Sequence, residues 1–248
     1  MPVGAPSGPV VDTGAAQEFL REILGRATEG DLAAVGADCR RKSDRFAEVL
    51  GDGRAARASR ADLREVLRRI FSCRRKADMI LEAVGPERLA AEIDRLLRGL
   101  EPVGKRIERF DAVLEAAPGI GFDLPGELLH FAHPEHYWLW TRWMWDPRIE
   151  TGALRLVTTE ELDLVAEGRG ATYVGVGRAL AFVNETGRAA GFTTFEDGPF
   201  GIDVFLACVY AVYMYTVLRM RMTQEFNRIV PGLEGLVRTL LGVRHQEA

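Results

Sequence analysis

Between Asp203 and Arg219 the chain runs for 15 residues, Val204 to Leu218, without a charge. A helix that spans a bilayer needs about 20 apolar residues. This run is shorter, and Tyr210, Tyr213 and Tyr215 carry hydroxyls that want partners. It therefore predicts no membrane span but a long central apolar helix over 202–228, ended by Pro231. A helix that is apolar on every side must be surrounded by other elements. The chain has the means to surround it: 248 residues, 47% of them hydrophobic and 27% charged, an ordinary globular composition.

Helical periodicity also dominates the first half. Ser59 and Asp62 have the spacing of a capping box. After them Leu63, Val66, Leu67, Ile70 and Phe71 form one apolar helical stripe, with Arg60, Arg64 and Arg68 on another face. Pro86 suits the first turn of a helix, where its missing N–H is harmless. Leu89, Ile93, Leu96 and Leu97 mark that helix's buried side, and Val103, Ile107, Phe110 and Leu114 mark the next. Further helices are expected over 15–24, 31–50 (stopped by Gly51), 178–187 and a last one carrying Leu233 to Leu241. Short strands are conceivable at 154–158 and 173–176. The fold class is mainly all-α: a multi-helix globular domain over 14–248, with a flexible tail over 1–13 and a subdivision near 115–120 kept open.

The net charge is −4, which disfavours a surface that grips nucleic acid everywhere. The charge is uneven: residues 38–110 hold 19 basic and 13 acidic side chains, net +6, and the remainder is net −10. Of the 32 basic residues only Lys42, Lys76 and Lys105 are lysines. Arginine suits bidentate contact with phosphate or carboxylate, although a bias toward arginine codons together with solvated helix faces is the better explanation of such a run. Cys39, Cys73 and Cys208 are too far apart in sequence to suggest a bridge framework, which fits a reducing, cytoplasmic setting. The first 13 residues have neither the basic nor the apolar part of a signal peptide.

Several catalytic schemes find no support. Ser7, Ser43, Ser59 and Ser72 are the four serines, and none sits in a nucleophile elbow. No phosphate-binding GxxxxGK[ST] loop and no zincin HExxH occur.

Residues 117–146 stand apart. All four tryptophans, Trp138, Trp140, Trp143 and Trp145, fall here beside Tyr137, together with His130, His133 and His136. If helical, 137–145 is aromatic all round, so it is either a buried cluster or a contact surface. As a contact surface, Trp138, Trp140, Trp143 and Trp145 anchor a partner, Tyr137 stands at its rim and Arg142 pairs with an anionic group. His130 and His133 lie one helical turn apart, and Pro134 lets His136 swing round. Three imidazoles with Glu127 or Asp146 nearby suit a divalent transition metal. Asp203 is expected to cap the apolar helix, with a functional carboxylate at the edge of the core as the alternative.

Ala117-Pro118-Gly119-Ile120-Gly121 resembles the hairpin of helix-hairpin-helix proteins. The apolar helix after it and His133 to Trp140 are similar to the corresponding stretch of helix-hairpin-helix base-excision DNA glycosylases. The resemblance implies that Gly119 and Gly121 let backbone N–H groups approach a DNA phosphate, helped by Lys105, Arg106 and Arg109. It also exposes departures. Asp123 stands where lyase-type members carry a catalytic lysine, and Thr141 where the family has its catalytic aspartate. The resemblance thus implies a related scaffold without glycosylase chemistry.

These observations support a non-catalytic helical binding or accessory protein that uses 137–145 as its contact surface. The net acidity favours a protein partner or a second copy over nucleic acid. The alternative is a metal-dependent enzyme or metal carrier using His130, His133 and His136. A structural subunit that packs its 202–228 helix on a partner is the third reading.

Overall fold

The computed structural model describes residues 10–117, 120–193, 195, 198–221 and 232–244. Among them the chain forms ten α-helices and two 3₁₀ turns, with β-structure limited to two isolated bridges. The mainly all-α expectation holds.

Local sequence rules set most helix boundaries. Helix α1 (Thr13–Leu24) starts where the Ala15 N–H donates to the Asp12 side chain. Helix α2 (Glu29–Leu50) opens with a capping box of Thr28 and Asp31 and stops at Gly51. Helix α3 (Arg60–Arg68) opens with the expected box of Ser59 and Asp62. Helix α4 (Ala77–Val84) hands over at Gly85, where a positive φ turns the chain into α5 (Pro86–Arg98), with Pro86 in its first turn. Helix α6 (Val103–Leu114) and helix α7 (Asp123–Ala132) follow. Beyond the aromatic segment come α8 (Arg169–Ala190), α9 (Gly201–Arg221) and α10 (Leu233–Leu240).

The apolar run becomes α9, which packs against α1, α2, α8 and α10. Its residues 201–209 are all buried, whereas Tyr213 is 38% exposed. No helix among the described residues is long and apolar enough to cross a membrane. Residues 222–228 of the expected helix lie outside the described residues.

Two strand expectations are overturned. Residues 154–156 form a 3₁₀ turn, and 173–176 lie inside α8. The reason is packing: Tyr173, Val176, Leu180 and Val183 share one buried helical face. Helix α8 then meets α6 so closely that a Cβ on Gly104 or Gly170 would collide with the other's backbone. The tail is also corrected at its end. Val10 and Val11 are buried, and the Asp12 and Thr159 N–H groups tie this stretch to residues 157–159 (N···O 3.0 Å each). Residues 1–9 lie outside the described residues. One hydrophobic cluster runs from Val11 to Val243 and crosses the 115–120 region.

Candidate functional site

Helix α7 is buried along its whole length, yet three of its side chains ionise. Asp123, Glu127 and His130 are spaced i, i+4 and i+7, so they lie on one face. Each meets a partner from a different part of the chain. Asp123 accepts from the Arg142 backbone N–H at 2.6 Å and from its Nε at 2.7 Å. Glu127 accepts from Lys42 Nζ of α2 at 2.6 Å. His130 Nε2 lies 2.8 Å from Asp203 Oδ2 of α9.

Burial makes these pairs consequential, since an unpaired charge in the interior is strongly disfavoured. The Lys42 and Glu127 side chains are each 2% exposed. Lys42 also donates to the Leu241 carbonyl at 2.8 Å and lies 3.7 Å from the Phe131 ring centre. Burial pushes the Glu127 carboxyl up to about 7, against the pull of Lys42. Burial alone would lower His130, but the facing Asp203 carboxylate and the Tyr137 carbonyl together outweigh it and the imidazole pKa is raised. His130 Nδ1 is 2.8 Å from the Tyr137 carbonyl, an acceptor, so Nδ1 carries a proton. Its Nε2–H is not aligned on the carboxylate oxygen, and the contact with Asp203 is ionic rather than a well-formed hydrogen bond. Asp203 is the third residue of α9 and 1% exposed, so it is not the helix cap but a buried counter-charge.

The histidines do not assemble a metal site. Among the described residues no group of three or more His, Cys, Asp or Glu side chains could hold an ion. His130 turns inward to Asp203. His133 leaves the helix at φ −145°, ψ 67°, and His136 is exposed in the following turn. Pro134 ends the helix, so the imidazoles lose the common face that the spacing suggested.

The aromatic segment is likewise not an exposed helix. It runs irregularly through 138–141 and turns at 142–144, and Trp140, Trp143 and Trp145 are 1%, 4% and 0% exposed. Trp140 stacks on Phe122 with ring centres 4.2 Å apart and donates Nε1–H to the Trp145 carbonyl at 3.0 Å. These three tryptophans are core, and as placed they cannot anchor a partner on the surface. Trp138 is half-buried against Gly177, and half-buried Tyr137 accepts from Arg106 through its hydroxyl at 2.8 Å. Arg142 is exposed, but the anion it pairs with is Asp123 of its own chain.

The hairpin region joins α6 to α7. Gly119 lies outside the described residues. A Cβ on Gly121 would sit 2.6 Å from the Arg142 guanidinium, so Arg142 covers the surface expected to meet phosphate. Arg106 is buried and engages the carbonyls of Leu97 and Glu101 together with Tyr137, so it does not face solvent either. Lys105 and Arg109 remain exposed.

A cavity of about 240 Å³ opens beside the start of α7. Asp123, Glu127, Thr141 and Arg142 line its polar side, and Phe71, Trp143, Tyr210 and Leu240 its apolar side. Thr141 Oγ1 and Trp143 Nε1 are buried and have no hydrogen-bond partner among the described residues. The spacing of Asp123, Glu127 and His130 is visible in sequence. Lys42, Phe71 and Tyr210 carry no such signal, because they reach the site only through tertiary packing. No family model, curated protein or solved structure matches the chain.

Proposed function

We propose that the chain is a non-catalytic binding protein whose cavity beside α7 receives one aromatic side chain of a protein partner. The observation that carries this reading is the cavity's lining. Its walls are aromatic, and its acids are already committed to Arg142 and Lys42. At about 240 Å³ the cavity suits a single ring rather than a drug-sized molecule. Exposed aromatic surface continues past its mouth: Phe71 is 41% exposed, and Tyr213, 38% exposed, stands beside Tyr210. Buried aromatic anchors in such pockets dominate protein interfaces.

A second reading has its own observation. Asp123 and Thr141, the two positions singled out by the glycosylase resemblance, line this same cavity. That favours an unstacked nucleobase as the ring.

Titration with p-cresol and indole, which stand for tyrosine and tryptophan side chains, tests the first reading. The indole N–H resonance of Trp143, assigned with Trp143→Phe, is expected to shift saturably. An unmoved resonance at saturating fragment overturns it. Single-stranded DNA serves the second reading: a tryptophan quench reversed by salt would favour the nucleobase, because phosphate contacts release counterions.

A further inference from the structure

A second cavity, about 450 Å³, lies between α2, α3 and the residues after α10. It shares no lining residue with the aromatic one. Its walls carry five arginines, Arg41 from α2, Arg64, Arg68 and Arg69 from the end of α3, and Arg244 from beyond α10. Lys42 lines it too but is held by Glu127. Two carboxylates face the same space, and both are already neutralised. Asp38 is gripped by Arg41 and Arg238. Glu65 takes a two-pronged contact from Arg45 at 2.9 and 2.7 Å and a further bond from Arg69 at 3.1 Å.

Of the remaining arginines, Arg64 is committed to Asp78, whereas Arg68 and Arg244 are not firmly paired. Arg64 holds Asp78 at 2.7 and 3.0 Å, and Arg68 stands 4.0 Å from the same carboxylate. Arg244 is exposed and has no ion pair among the described residues. Guanidinium groups from separate segments therefore converge on a concave space in which every acid is saturated. Arginine stays charged at any physiological pH and matches phosphate with a planar pair of donors. One carboxylate offers two oxygens and one charge, too little for forks arriving from both α3 and the chain end. A chain of phosphates offers enough of both. A volume of about 450 Å³ lies in the range of small-molecule sites, and its concavity suits a compact ligand better than a duplex backbone.

We propose that this cavity is a binding site for a small polyphosphorylated ligand, gripped chiefly by Arg68 and Arg244. The proposal is independent of the aromatic cavity's role.

Calorimetric titration of the full chain with inorganic pyrophosphate and tripolyphosphate tests it. Saturable binding is expected, tighter for tripolyphosphate and weakened by salt. Arg68→Ala/Arg244→Ala should weaken it by at least about tenfold, with the circular dichroism spectrum unchanged. A charge-matched control, Arg88→Ala/Arg188→Ala, should retain wild-type affinity. Three results overturn the proposal: no binding heat at millimolar tripolyphosphate, an equal loss in the control variant, or duplex DNA that binds more tightly and displaces tripolyphosphate. The last would assign the arginines to a nucleic-acid backbone.

Discussion

Lys42 and Glu127 form a 2.6 Å ion pair, each side chain 2% exposed, and the two residues line different cavities. Lys42 belongs to the arginine-walled cavity and Glu127 to the aromatic one. The end of α10 completes the partition, with Leu240 on the aromatic side, Gly242 on the basic side and the Leu241 carbonyl accepting from Lys42 between them. One buried pair thus separates two spaces of opposite character and ties α2 to α7 and the chain's end.

Removing one member of such a pair strands the other charge in the core. Lys42→Met is expected to destabilise the fold by about 3–5 kcal/mol. Lys42→Met/Glu127→Leu should lose less than the two single changes summed, because no orphaned charge is left. Urea unfolding of the four species closes the cycle, and simple additivity would mean that the pair is not coupled.

The pair also gives stability a pH dependence. Glu127 ionises at about 7 in the fold against 4.5 ordinarily, so between those values the native state holds a proton that the unfolded chain has released. That contribution is complete below about 4.5 and is lost as pH rises through about 7. His130, also raised, acts in the same direction: its contribution is present below the ordinary imidazole value and lost as pH rises through its elevated one. Stability should therefore fall from mildly acidic to neutral pH, with Glu127 supplying a slope of up to about 1.4 kcal/mol per pH unit. Glu127→Gln should flatten that slope. Chemical denaturation at several pH values reads it, and an unchanged slope would contradict the assignment.

Emission from the four tryptophans should be blue-shifted and largely shielded from acrylamide, with Trp138 supplying most of the accessible fraction. Trp138→Phe should remove most of the quenchable signal. Trp140→Ala should cost about 3–5 kcal/mol, since it empties the space stacked on Phe122. Uniformly quenchable tryptophans would show that the segment is exposed in solution.

Gly126 reverses an ordinary rule. Glycine to alanine within a helix normally gains up to about 1 kcal/mol. At Gly126 a Cβ would collide with the carbonyl oxygen of Trp140, a backbone atom that cannot rotate away. Gly126→Ala is expected to destabilise by about 1–3 kcal/mol through overpacking, as thermal unfolding would reveal. Gly175→Ala, which meets open space in α8, is the stabilising control.

The candidate site was legible in the sequence only as far as a place in the chain. The crowding of tryptophan and histidine marks the region that does line the aromatic cavity, through Thr141, Arg142 and Trp143. It misleads about exposure, because a segment aromatic on every side reads identically as core or as contact surface. The histidine spacing misleads for a related reason. Helical register brings His130 and His133 together only while the helix lasts, and it ends at Ala132. Asp203 looked like a cap because it stands at the start of an apolar helix; its facing His130 was invisible from either residue's neighbours.

The sequence by itself determined the helices. Apolar stripes at helical spacing, the Ser59 and Asp62 box, Pro86 in a first turn and Gly51 as a stop are all local signals, each acting within a few residues. Tertiary structure alone decided which side of those helices carries the candidate site. Asp123, Glu127 and His130 share a face by register, but Lys42 lies 85 residues from Glu127, and Arg142 lies 19 from Asp123. No local rule couples such distances. Burial of the apolar faces brings α2, α7 and α9 together, and once together their few charged side chains must pair, because an unpaired charge in that interior is strongly destabilising.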